Sequence, residues 1–177
     1  MFTKLENSFE NLLYTTTSPL KTFKDSNGKG IDYKKIWSPE SEKLYNFLPK
    51  RYWSDFHLTI MTIDCIIPPH TDTEINTSIN FYLQTEGCKT TFYKPKVDVP
   101  KTKQIENQTD GHIYSEDDLV EIGSFIAKDF EAWLLDVSKI HGVTGDFSLR
   151  KAFTLGTFIH TYEDVLTMLK ETGNVIC

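Results

Sequence analysis

The chain has 177 residues, 39% hydrophobic and 25% charged, a composition suited to one folded domain with a real core. Nineteen basic against 25 acidic residues leave a formal net charge of -6, which argues against a general affinity for nucleic-acid backbones or anionic membranes. No apolar run nears the roughly 20 residues of a transmembrane helix, and Met1 to Glu6 lack the basic and apolar regions of a secretory leader. Cys65, Cys88 and Cys177 are far apart and form no Cys-x-x-Cys pair. They fit neither a disulfide framework nor a thiolate zinc site, and a reducing cytoplasm is the expected setting.

In chain order, residues 1–56 read as helical and loop material packing on a core. Asp25 to Gly30 is turn-rich. Ser38 is the expected N-cap and Pro39 the expected first position of a helix that carries Leu44, Phe47 and Leu48 at helical spacing. His57 to Ile67 is rich in β-branched residues and is expected to end as a strand at Pro68-Pro69. Thr77 to Gln84 alternates, with Ile79, Phe81 and Leu83 on one face and Ser78, Asn80, Tyr82 and Gln84 on the other. Glu86-Gly87 turns the chain into a strand over Cys88 to Tyr93.

Lys94 to Asp117 is a polar insertion of the kind that often forms a lid, and Ser115 to Asp118 would cap a short helix through Glu121. Strands are expected again over Ala132 to Val137, Ile140 to Val143 and Arg150 to Ile159. Thr161 to Asp164 caps a last helix. The expected whole is one mainly β domain with flanking helices: a double-stranded β-helix (jelly roll) core over 57–160 with its insertion at 94–117, and a C-terminal helix over 161–177. The polar face of the Thr77 to Gln84 strand would line the cavity, and its apolar face would meet the helices.

The chemistry concentrates in His70-Thr71-Asp72. Residues i and i+2 of an extended segment project to one side, so an imidazole and a carboxylate can reach one metal ion. His141, between Ile140 and Val143, is placed to supply the second imidazole from a distant strand. Two histidines and one carboxylate on one face leave open positions, as in non-haem iron(II) oxygenases. A chance His-x-Asp is a roughly one-in-three event here. Arg150, nine residues after His141, adds a second constraint. The chain has only Arg51 and Arg150 against 17 lysines, and the joint chance is on the order of 1%. A planar guanidinium binds a carboxylate bidentately, which lysine cannot do.

Together, His70-Thr71-Asp72, Ser78 to Leu83, Trp133 to Asp136 leading to His141, and Arg150 with Thr154 resemble the core of the iron(II)/2-oxoglutarate oxygenase superfamily, within it the prolyl-hydroxylase-like branch. The resemblance covers roughly residues 57–160. It implies iron(II) held by His70, Asp72 and His141, with 2-oxoglutarate and dioxygen as co-substrates. Arg150 would bind the C5 carboxylate, Tyr82 and Thr154 would add hydrogen bonds to it, and Asn80 would reach the C1 end. The implied reaction is hydroxylation of a C–H bond in an amino-acid residue or a small molecule, coupled to conversion of 2-oxoglutarate to succinate and carbon dioxide. Asp72 favours hydroxylation over halogenation. That branch often has a tyrosine on the strand before His-x-Asp, and His57 to Ile67 has none.

Plainer readings stand beside these. His141 is then a core histidine bonded to backbone, Arg150 a salt-bridge partner of Asp146, Tyr82 a barrel-lining tyrosine and Trp133 core. The same two histidines and aspartate would also suit zinc or manganese in a cupin-like hydrolase or isomerase, and a non-catalytic β-sandwich binding module is the third class. Substrate identity and oligomeric state are not readable.

Overall fold

In the computed structural model, residues 1–24, 30–72, 74–97, 103–104, 111–145 and 149–175 are described. The chain is mainly β, built of two antiparallel sheets with few helices. One sheet has seven strands: β1 (Phe2–Lys4), β2 (Thr15–Lys24), β3 (Gly30–Trp37), β4 (His57–Ile63), β6 (Thr77–Gln84), β11 (Ala132–Leu135) and β13 (Arg150–Thr157). The other has six: β5 (Ile67–Asp72), β7 (Lys89–Pro95), β8 (Lys103–Gln104), β9 (Gly111–Ile113), β10 (Leu119–Ile126) and β12 (His141–Thr144). Eight strands form the centre, in the orders β11-β6-β13-β4 and β10-β7-β12-β5. The chain crosses repeatedly between the sheets as it runs from β4 to β13, the winding of a jelly roll.

The alternation of β6 is realised. Ile79 and Phe81 are fully buried in the outer core with Leu44, Phe47, Leu48, Val165 and Leu169, while Tyr82 belongs to the core between the sheets. Glu86 and Gly87 both have positive φ, 46° and 74°, the left-handed pair of a tight turn, closed by the Cys88 amide on the Thr85 carbonyl, that carries the chain from β6 in one sheet to β7 in the other. Helix α2 (Tyr162–Glu171) starts with a capping box: Thr161 accepts from the Asp164 amide and the Asp164 carboxylate accepts from the Thr161 amide.

Four expectations are corrected. The N-terminal region is not simply helical and loop. Its β2 and β3 extend the larger sheet beyond β4, and β1 covers the outer edge of β11. The one α-helix among its described residues, α1 (Glu42–Tyr45), begins after Ser41. Ser38 instead donates to the Leu13 carbonyl and accepts from the Glu40 amide. Pro68 and Pro69 lie inside β5 rather than ending a strand. Their carbonyls remain available, and that of Pro69 accepts from the Tyr114 amide at 2.8 Å. The expected helix after Ser115 is one 3-10 turn, Glu116–Asp118, before β10.

Of the insertion, β8 and β9 are described. They lengthen the smaller sheet beside β5, with Thr71 opposite His112; residues 98–102 and 105–110, which a lid would need, lie outside the described residues. No described helix is long and apolar enough to cross a membrane.

Candidate metal centre

Strand pairing builds the centre. His141 on β12 stands opposite His70 on β5, and their ring centroids are 4.3 Å apart. Asp72 follows His70 by two residues on the same strand, with its Oδ1 3.6 Å from His70 Nε2. One ligand atom from each of the three lies within 4.8 Å of the others, and no other such group of three occurs among the described residues. Gly142 permits this register. A Cβ there would sit 3.0 Å from the Ile67 carbonyl oxygen and 3.3 Å from Pro69 N, so only glycine lets β12 approach β5 this closely.

The second nitrogen of each imidazole is already committed. His70 Nδ1 lies 2.9 Å from the Pro68 carbonyl oxygen and His141 Nδ1 lies 2.9 Å from that of Lys139. A carbonyl only accepts, so both Nδ1 atoms carry hydrogen and Nε2 is the nitrogen left for a metal, the arrangement that orients metal-binding histidines. Burial, and then the neighbouring His70, hold His141 well below the ordinary histidine pKa, so its ring is neutral and ready to donate to a cation. Phe92 of β7 packs on its face at 5.7 Å.

Both sheets line a cleft, partly open to solvent, that contains the three ligand residues together with Ser78, Asn80, Thr90, Arg150 and Thr154. Arg150 is only 2% exposed. Its Nη2 donates to Tyr82 Oη at 2.6 Å and to Thr90 Oγ1 at 2.9 Å. Its guanidinium carbon lies 4.7 Å from the centre of the Tyr82 ring. Nε and Nη1 are buried without a hydrogen-bond partner. Buried donors without acceptors cost about 1–3 kcal/mol each, more on a charged group, which a bound carboxylate would offset. The donor set thus fits a divalent metal beside an anionic organic ligand.

The other expected residues divide. Ser78 donates to Asn80 Oδ1 at 2.7 Å and Asn80 Nδ2 reaches Tyr82 Oη at 3.4 Å, which continues the network from Arg150 along β6. Thr154 lines the same cleft but is bonded to Thr59 across β4 and β13. Trp133 is stacked on Phe125 at 4.0 Å and donates to Glu131, a core role. His160 pairs with Asp55 at 2.9 Å, His57 packs beside Phe158, and His112 lies on β9; none joins the cluster. Asp146, the alternative partner of Arg150, lies outside the described residues.

Two contributors escape the sequence. Thr90 touches Arg150 only because β7 crosses to it from the other sheet. Tyr33 enters the cleft from β3. Burial of its phenol, and then the charge of Asp72, push its pKa up. The alternation of Ile31 and Tyr33 was the one available signal.

No family model matches the sequence, and no curated protein matches it. Among solved structures the chain is similar to the X-ray structure of E. coli ycfD (TM-score 0.45, 10% identity, 88% of this chain and 43% of that one). It is also similar to the crystal structure of Escherichia coli ribosomal oxygenase YcfD (TM-score 0.41, 12% identity, 99% of this chain and 46% of that one). The chain spans less than half the length of either, and likeness at this level carries no argument about activity.

Proposed function

We propose that this chain is an iron(II)- and 2-oxoglutarate-dependent oxygenase that hydroxylates a C–H bond of an amino-acid residue or a small molecule. One observation carries the reading: a two-histidine, one-aspartate cluster shares a cleft with a buried arginine whose Nε and Nη1 lack partners. His70, Asp72 and His141 would hold the metal. Ferrous iron with bound 2-oxoglutarate supplies dioxygen activation, in which the co-substrate is split to succinate and carbon dioxide as the substrate C–H bond is oxidised. Arg150 binds the far carboxylate of the co-substrate through its charge and an idle N–H donor. Tyr82 and Thr90 hold the guanidinium in place, and Asn80 steadies the Tyr82 hydroxyl. Ile31, Met61, Ile63 and Val143 line the same cleft and exclude water from the anion, which strengthens the pairing.

A cupin-like hydrolase or isomerase would use the same three ligands but gives the buried guanidinium no task. The test is anaerobic titration of iron(II)-loaded protein with 2-oxoglutarate, read by the weak visible charge-transfer band of the complex. A saturable band that is lost in His141→Ala supports the reading. Bound iron without a band refutes it.

A further inference from the structure

The cleft has two unlike ends, and strand register gives their order. Arg150 lies at one end, where it bonds Thr90, the residue opposite Val143 of β12. His141, two residues back along β12, comes next, with His70 opposite it. Asp72 is two residues farther along β5, and its amide donates to the Val137 carbonyl at 3.1 Å. Leu135, at the end of β11, is opposite Ser78 of β6, and Ser78 is opposite Gly156 of β13. Gly156 is about 20 Å of strand from Arg150. The cleft therefore runs from Arg150, past the metal ligands, to an end walled by Ile75, Ser78, Leu135 and Val137. Exposure rises in the same order. Arg150 is 2% exposed, while the side chains of His70 and Asp72 are 14% and 30% exposed. Ile75 is half-buried, and Glu74 before it is exposed.

The Asp72 end offers methyl groups and little else. A Cβ on Gly156 would lie 3.4 Å from Ile75 Cδ1 and 3.4 Å from its Cγ2, so Ile75 lies over bare backbone. Ser78 spends its proton on Asn80 Oδ1 at 2.7 Å. The Asn76 amide donates to the Thr157 carbonyl and the Ser138 amide to that of Asn76. Apart from Asp72, no described residue lining this end is charged. A charged group that entered here would lose water and gain no partner, whereas an aliphatic group gains by leaving water.

We propose that the Asp72 end of the cleft is the primary-substrate subsite and that it takes a neutral aliphatic group, with Ile75 setting the size it admits. The proposal rests on the oxygenase reading and deepens it. Arg150 selects the anionic co-substrate at the closed end, and Ile75, Leu135 and Val137 select an uncharged alkyl group at the open one.

Isoleucine methyl NMR reads both ends in one sample. The protein is loaded with zinc(II), a diamagnetic stand-in that the same ligands accept, and then with 2-oxoglutarate. It is next titrated with N-acetyl-leucinamide, N-acetyl-lysinamide and the α-amide of N-acetyl-aspartate. Ile63, opposite Arg150, should move with 2-oxoglutarate. Ile75 should move saturably with the leucine amide, which should bind about 10-fold or more tightly than either charged amide. Ile75→Ala should shift preference from the leucine amide toward the bulkier cyclohexylalanine amide, read from the probes' own signals, with zinc content unchanged. An Ile75 signal that ignores the leucine amide while Ile63 answers 2-oxoglutarate overturns the proposal and leaves the oxygenase reading standing. So do equal affinities for the charged amides, an unchanged size preference in Ile75→Ala, or a loss of zinc in that variant. An Ile63 signal that ignores 2-oxoglutarate overturns both.

Discussion

Arg150→Met should leave the ligand-free protein about as stable as the wild type while destroying its ability to bind 2-oxoglutarate. The guanidinium is 2% exposed, has two acceptors, both neutral hydroxyls, and leaves Nε and Nη1 without partners. Replacing a buried charge by a hydrophobic group of similar volume is often stabilising, by about 1–4 kcal/mol. Tyr82 and Thr90 each lose a donor, which returns about 1 kcal/mol apiece. The two terms leave a net change between a loss of about 1 and a gain of about 2 kcal/mol, read as a urea midpoint close to that of the wild type at unchanged slope. Ligand binding moves the other way. Two charge-assisted hydrogen bonds are worth about 3–6 kcal/mol together, roughly 10²- to 10⁴-fold in affinity. At 100 times Kd, 2-oxoglutarate should add about 2.7 kcal/mol to the wild type and nothing measurable to the variant at that concentration. A variant destabilised by more than about 1 kcal/mol without ligand, or one that binds 2-oxoglutarate within tenfold of wild type, would refute the reasoning.

Alanine at His70, Asp72 or His141 should each lower metal affinity at least about 100-fold while leaving the far-ultraviolet circular dichroism intact; metal analysis after dialysis checks it. Gly142→Ala sets a methyl 3.0 Å from the Ile67 carbonyl. It should cost about 1–3 kcal/mol and weaken metal binding, because relief requires β12 to move off β5. Thr161→Ala should cost about 1 kcal/mol by removing the cap of α2, with metal binding unchanged. The lowered pKa of His141 fixes a sign for the metal-free protein. The unfolded chain takes up that proton near pH 6.5 and the folded one only at lower pH. Stability contributed by the neutral ring is complete above about 6.5 and falls on acidification, by up to about 1.4 kcal/mol per pH unit, until the native pKa is reached. Denaturation midpoints between pH 7 and 5 test this, and His141→Gln should flatten the slope.

The sequence carried the parts of the fold that depend on local pattern. β6 was legible because its apolar residues alternate, and α2 because Thr161 and Asp164 stand at capping-box spacing. The strands before residue 57 were hidden for a physical reason. Their stability comes from pairing outward from β4, and the polar residues between Ile31, Tyr33 and Ile36 mask a half-buried face. Pro68-Pro69 misled because a proline forbids donation but not acceptance, and β5 uses its carbonyls. Within the candidate site, His70 and Asp72 were legible from their i, i+2 spacing. Thr90 and Tyr33 were not, since cross-strand register and the crossing between sheets set their positions, and neither leaves a trace in linear spacing.

The two arginines mark a division that composition alone hints at. Arg51 is exposed and paired with Glu171, an interaction that lysine would serve nearly as well at a surface. Arg150 sits where lysine would be least costly to avoid and most easily neutralised, since a buried ammonium sheds its proton as its pKa falls. Guanidinium cannot do so, and so the cleft stays cationic at neutral pH. A permanent charge with idle donors on one side and a preoriented imidazole pair with a carboxylate on the other defines what the cleft is shaped to receive: a small anion whose two ends differ, one for the guanidinium and one for the metal.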